Sequence, residues 1–94
     1  RQAGAVGDLM RSFAREGRFV IPPEWRAVIA ADFAAERADE AEVSEAMALA
    51  QRDHGLPIDP HTAVALAAAG KMRADGRLKG HVVALATAHP AKFP

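Results

Sequence analysis

The hydrophobic pattern of the chain is most distinctive near its end. Residues 82–86 form an unbroken apolar run, and Thr87 and the turn signal His89-Pro90 follow it. A short apolar run with β-branched residues, flanked by turn signals, favours a strand buried on both faces. One turn of a buried helix is the alternative, because periodicity alone does not separate the two. Ligands of open α/β sheets lie beyond the carboxyl ends of the strands, so we expect a ligand near residues 87–92.

Helical spacing of apolar residues predicts two helices in the first third of the chain. The first covers residues 5–16, and Gly17 is its expected stop. Pro22 and Pro23 open the second, since a missing N–H costs little in a first helical turn. The apolar stripe of this second helix includes Trp25, which we expect to belong to a hydrophobic core.

Two further helices follow, each with a recognisable start. Asp39 and Glu42 have the spacing of a capping box, and Gly55 is expected to end the helix that they open. Asp59 is a strong N-cap candidate, with Pro60 at the first helical position. The helix after Pro60 is built of alanine and small aliphatic residues, so we expect it to be buried on several sides.

These elements predict an α/β fold with four helices and one buried strand. Residues 1–55 supply three amphipathic helices, and residues 56–94 supply the capped helix, a loop, the strand and the motif at its ligand end. A single strand cannot satisfy its own backbone groups. It must pair with a copy of itself, or the rest of the sheet lies outside this sequence. We favour the second interpretation, in which the chain is a piece of a larger α/β protein.

Composition excludes several classes of function. The 94 residues suit one small domain, and half of them are hydrophobic. Twelve basic and twelve acidic residues give zero net charge, which provides no electrostatic reason to expect nucleic acid or an anionic membrane as partner. There is no cysteine, hence no disulfide framework. No signal peptide is visible, so we expect a cytoplasmic protein. The chain begins at Arg1 and not at a methionine, so the natural N-terminus could lie further upstream.

Few residues have the spacing of a known catalytic or metal motif. The four histidines lack the i, i+4 spacing of a helical zinc pair, so no metal site is predicted. Nucleophile elbows and glycine-rich phosphate loops are absent from the sequence. Lys92 lies near the predicted ligand, but nothing indicates the desolvated pocket that would lower its pKa. We therefore expect Lys92 to be an electrostatic contact at most.

Two short motifs resemble those of one enzyme family. The segment Thr-Ala-His-Pro-Ala-Lys-Phe at residues 87–93, preceded by the apolar run, closely resembles the C-terminal motif of threonine synthase. The segment Asp-Pro-His-Thr-Ala-Val at residues 59–64 resembles a motif that the same family carries one helix and one loop earlier. The order of the upstream elements is also similar, so the resemblance covers essentially the whole chain.

The resemblance implies a function for a longer protein. Threonine synthases are pyridoxal-phosphate (PLP) enzymes of the tryptophan-synthase-β fold type (fold type II), and they convert O-phosphohomoserine and water to threonine and phosphate. Their Schiff-base lysine and the loop that holds the cofactor phosphate lie far upstream of the stretch that residues 1–94 resemble. Residues 1–94 would then be a single C-terminal segment that contributes no catalytic residue, is inactive alone, and has the rest of the same polypeptide as its partner.

The resemblance also implies roles for individual residues. Thr87 is expected to donate a hydrogen bond to the pyridine nitrogen of PLP, although it could simply end the strand. Asp59 is expected to direct the start of its helix toward the cofactor, with a purely structural cap as the alternative. Asn at this position would be an equally good cap. His61, His89 and Lys92 are candidates for the wall of the site. A free-standing helical interaction module without catalytic activity remains the alternative function.

Overall fold

The computed structural model describes residues 3–92, and throughout these residues the regular secondary structure is helical. The elements are α1 (Ala3–Glu16), α2 (Pro23–Asp32), α3 (Glu40–His54), α4 (Pro60–Ala74) and a 3₁₀ turn at Pro90–Lys92. The chain divides into two compact units, of which the first ends at Ala34 and the second begins at Ala35. Phe93, the last residue of the C-terminal motif, lies outside the described residues.

The predicted buried strand is wrong, and with it the α/β class. Residues 81–87 have no regular secondary structure. Val83 is 86% exposed and Leu85 is 73% exposed. A strand needs a neighbouring strand for its N–H and C=O groups and covering layers for its side chains, and the described part of the chain supplies neither. The expectation of a ligand at the carboxyl end of a strand therefore loses its structural basis in this chain.

In the first unit, a glycine turn ends α1 as predicted. Gly17 has a φ of 73°, and its N–H donates to the Phe13 carbonyl at 2.8 Å. The reversal brings the ring of Phe19 edge-on to that of Phe13, with centroids 6.0 Å apart. Neither α1 nor α2 contains a buried residue.

The apolar stripe of α2 lies uncovered. Val28 is 71% exposed and Phe33 is 72% exposed, while Trp25 is half-buried. Pro22 precedes the helix and makes no side-chain capping hydrogen bond. The expectation of a core around this stripe is not met within the described chain.

In the second unit, the predicted capping box at the start of α3 is confirmed. The Asp39 carboxylate accepts from the Glu42 N–H at 2.8 Å, and the Glu42 carboxylate accepts from the Asp39 N–H at 2.8 Å. Gly55 ends the helix in the left-handed conformation, with a φ of 64°. Its N–H donates to the Gln51 carbonyl at 3.0 Å. Local side-chain and backbone hydrogen bonds thus fix both ends of α3.

Helices α3 and α4 pack against each other, and few apolar side chains are buried in the second unit. Ala50, Ala63 and Met72 are the buried apolar residues among those described. The expected burial of α4 on several sides is not found, because Val64 and Leu66 remain 39% and 37% exposed. Much apolar surface is therefore left uncovered by this chain.

An arginine fastens the segment before α3 to the loop after α4. The Arg77 guanidinium pairs with Glu36 and, at 2.7 Å, with Asp75. These hydrogen bonds from Arg77 hold the pKa values of Glu36 and Asp75 below their ordinary values.

Lys71 on α4 makes a second connection to the same region. Its ammonium donates to the Arg37 carbonyl and pairs with Glu42, both at 2.8 Å. The hydrogen bond from Lys71 is the largest cause of the lowered pKa of Glu42. Lys71 is thus half-buried and paired.

Candidate functional site

The buried carboxylate of Asp59 organises the start of α4. Asp59 is 1% exposed. One of its oxygens accepts from the backbone N–H of His61 at 2.9 Å and lies 3.0 Å from Nδ1 of the His61 ring. The other accepts from the backbone N–H of Thr62 at 3.3 Å and from the Thr62 hydroxyl. Asp59 and Pro60 occupy the N-cap and first helical positions, as predicted.

These hydrogen bonds explain the ionisation of the carboxyl group. The Thr62 hydroxyl is the main cause that lowers the pKa of Asp59, and the His61 N–H and ring add to it, whereas burial acts in the opposite direction. Each donor stabilises the charged form. Because four donors occupy the lone pairs of one carboxylate, Asp59 has little remaining capacity for a ligand.

Thr62 is a site residue that the sequence pattern did not single out. Its side chain and backbone both donate to Asp59, and the residue is 6% exposed. The available signal was the spacing, since a residue three positions after an N-cap aspartate lies within reach of that carboxylate.

His61 presents its ring at the surface while Asp59 holds one side of it. Its side chain is 60% exposed, and the contact at Nδ1 is to an acceptor. A carboxylate cannot donate, so Nδ1 carries the proton in this contact. The ring also lines a groove of about 520 Å³ beside the start of α3, next to Asp39 and Glu40.

The C-terminal motif is shaped by His89. Its Nδ1 accepts from the Ala91 N–H at 3.1 Å, and its carbonyl accepts from the Lys92 N–H at 3.1 Å. The first of these bonds imitates an Asx turn, in which a side chain bonds the backbone two residues on. Thr87 and Lys92 are exposed.

The structure brings the two sequence motifs close together. A cavity of about 380 Å³ is lined by Pro90 of the C-terminal motif, by Asp59 and Pro60, and by Met47 of α3. Thr87, His89 and Lys92 are not among the described residues that line it, and His61 faces the other groove. The two motifs therefore share one cavity, to which the first contributes Asp59 and Pro60 and the second contributes Pro90.

Residues 3–92 provide neither a metal cluster nor a membrane span. No group of three His, Cys, Asp or Glu side chains in this range lies close enough to hold a metal ion. None of the described helices has the length and apolar character needed to cross a membrane.

Comparison with known proteins finds a family model that the end of the chain matches. Residues 62–94 match the family model described as threonine synthase, C-terminal. This stretch contains most of α4, the apolar run at residues 82–86 and the whole C-terminal motif. Over this stretch the chain is similar to the C-terminal part of threonine synthases, and the resemblance of its motifs is confirmed.

Individual relatives extend the similarity to the whole chain. A threonine synthase of Eremothecium gossypii is 36% identical over 99 aligned positions, which cover 99% of this chain and 19% of the relative. A threonine synthase of Pseudomonas aeruginosa is 31% identical over 94 positions, covering 100% of this chain and 20% of the relative. The chain thus spans about a fifth of the length of these relatives. No solved structure shows significant similarity to it.

Proposed function

We propose that this chain is the C-terminal part of an enzyme that converts O-phosphohomoserine and water to threonine and phosphate. The similarity of the entire chain to threonine synthases is the observation that carries the proposal. Because the chain spans about a fifth of those relatives, the reaction requires the remainder of the polypeptide. The segment contributes part of the wall of the active site.

The cofactor of the longer protein would be PLP, which supplies an electron sink for carbanion chemistry when it is bound. Thr87 fits such a cofactor, since its hydroxyl is exposed and not buried in the chain. A neutral hydroxyl donates to the pyridine nitrogen without protonating it, whereas a carboxylate would hold the nitrogen protonated. The Thr87 hydroxyl would therefore moderate electron withdrawal by the ring.

Asp59 would act through its neighbours. Its carboxylate is engaged by His61 and Thr62, so it positions the start of α4 and the His61 ring. His61 would then present an oriented imidazole at the wall of the site. His89 would hold the turn after Thr87, with Lys92 as a cation at its end.

A pair of substitutions in the full-length protein tests the role of Thr87. Thr87→Val removes the hydroxyl at nearly constant volume, and Thr87→Ser retains it. We expect the valine variant to lose most of its phosphate release from O-phosphohomoserine and to shift the absorbance of bound PLP, while the serine variant keeps both. Wild-type turnover and an unchanged spectrum in Thr87→Val would remove Thr87 from the cofactor site.

The isolated 94-residue chain offers a second test. It should release no phosphate and should not hold PLP covalently, because the Schiff-base lysine of the family lies upstream. Incubation with PLP, borohydride reduction and peptide mapping measure this directly. Stoichiometric modification of one lysine, Lys92 above all, would contradict the proposal.

The extensive exposed apolar surface supports one alternative, a free-standing helical interaction module. The two functions predict different native proteins. Mass spectrometry of the natural protein should find a chain several times longer than 94 residues if the enzyme proposal is right. A stable native species of this length would favour the module.

A further inference from the structure

A groove of about 660 Å³ runs along the contact between α3 and α4, away from the two motifs. Small side chains form its floor, and two leucines that are each 37% exposed stand within it. These apolar lining residues are Ala46, Leu49, Ala50, Leu66, Ala67 and Gly70. The floor is thus apolar and low, which suits close approach by another segment of chain.

Gly70 shows how much room the floor offers. A Cβ atom placed on this glycine would meet no heavy atom within 4 Å. Glycine inside a helix is less stable than alanine by roughly 0.5–1 kcal/mol. Within this chain, therefore, no neighbouring atom explains why position 70 holds glycine and not the more stable alanine.

The rim of the groove is acidic. Glu42, Glu45 and Asp53 stand around it with a single lysine, Lys71, so the rim carries a charge of −2 when His54 is neutral. Lys71 is already paired with Glu42 at 2.8 Å. Asp53 is likewise paired, with Arg52 at 3.1 Å. Among the described residues, Glu45 is therefore the rim carboxylate that remains in excess.

We propose that this groove binds an apolar segment flanked by lysine or arginine, supplied by the part of the longer polypeptide outside this sequence. The acidic rim selects basic flanks, because complementary charge sets partner and register. A second copy of the groove would bring two acidic rims together and is disfavoured for the same reason. The relatives are about five times as long as this chain, so a segment in the same polypeptide acts at high effective concentration.

Site-specific photocrosslinking in the full-length protein tests this binding. A benzophenone amino acid at Leu66 lies in the groove, and one at Gln51 of α3, which lines the other cavity, is the matched control. The Leu66 probe should give an intramolecular crosslink to an upstream peptide with apolar residues between basic ones. No crosslink, a crosslink between molecules, or a peptide without basic flanks would each overturn the proposal. The inference rests on the proposed function because it requires the longer polypeptide. The crosslink does not depend on turnover, so a failure of this binding is distinguishable from a failure of the proposed reaction.

Charge reversal on the rim sharpens the test. In the Leu66-probe protein, Glu45→Lys should reduce the crosslink yield about two- to fivefold, as expected for the loss of one exposed charge contact. Glu40→Lys, on the same helix but outside the groove, is the control and should leave the yield near its original value. An unchanged yield in Glu45→Lys would show that charge does not select the occupant.

Discussion

In the first unit none of the residues 3–34 is buried, whereas the second unit buries Ala50 of α3 and Ala63 and Met72 of α4. Both units are helical, so helices are present in this chain whether or not their apolar faces are buried. In the first unit the apolar faces are present but uncovered, as Val28 and Phe33 show. Most helical stability in proteins comes from packing an amphipathic face. The helices of the first unit therefore have more to gain from a covering surface.

The starts of the helices differ in the same way. Helix α2 follows Pro22 without a side-chain cap, while α3 and α4 begin at Asp39 and Asp59, whose carboxylates bond the first N–H groups. Caps are local and need no distant partner. The second unit is thus stabilised by side-chain caps and by packing. In the first unit, α2 has no side-chain cap, and neither α1 nor α2 contains a buried residue.

The largest effect should come from the buried methionine. Met72 is 8% exposed, and Met72→Ala should destabilise the second unit by about 2–5 kcal/mol through lost burial and the cavity left behind. Met10 of α1 is 48% exposed, and Met10→Ala is the matched control, with an expected change within about 0.5 kcal/mol. Urea denaturation followed by hydrogen exchange in each unit measures both. Equal losses would abolish the distinction between the units.

Asp59→Asn should be the next largest effect. The sequence suggested an equally good cap, but the structure shows donors on both carboxylate oxygens. An amide presents one acceptor and one donor, so its NH₂ would face the N–H of His61 or Thr62. We expect a melting temperature lower by several degrees, measured by circular dichroism. Asp8→Asn, on the exposed surface of α1, is the control and should melt like the parent.

Acid should weaken the second unit through its paired carboxylates. Glu36, Glu42, Asp59 and Asp75 all have pKa values below their ordinary values of 4.5 for Glu and 3.8 for Asp. A lowered folded-state pKa contributes stability above the ordinary pKa, and the contribution is lost as the pH falls through the folded value. Protection of α3 and α4 from hydrogen exchange should therefore fall steadily below about pH 4.5. Protection that rises on acidification would show that these pairs do not stabilise the fold.

How far the sequence predicts this molecule depends on the range of the interactions. The capping box at Asp39, the stop at Gly55 and the cap at Asp59 are correct because each is decided within a few residues. The strand at residues 82–86 is wrong because its apolar run reports a need for burial but not the structure that meets it. The convergence of Pro90 with Asp59 and Pro60 was not predictable, since it depends on how the loop after α4 returns. The apolar stripe of α2 is exposed for the same reason, because its pattern indicates a need for burial but not the surface that would cover it.

Changing glycine to alanine inside a helix should have the smallest effect on stability. It tests whether a gain in one helix spreads to the other helix of the same unit. Gly70→Ala meets open space and Gly7→Ala meets only ordinary contact with the Arg11 side chain, so each should stabilise its helix by roughly 0.5–1 kcal/mol. In the isolated chain, the gain in α4 should also raise hydrogen-exchange protection in α3, because the two helices pack against each other. The gain at Gly7 should remain within α1, where no residue is buried. Protection that spreads from Gly7→Ala as far as it does from Gly70→Ala would mean that the first unit is as cooperative as the second.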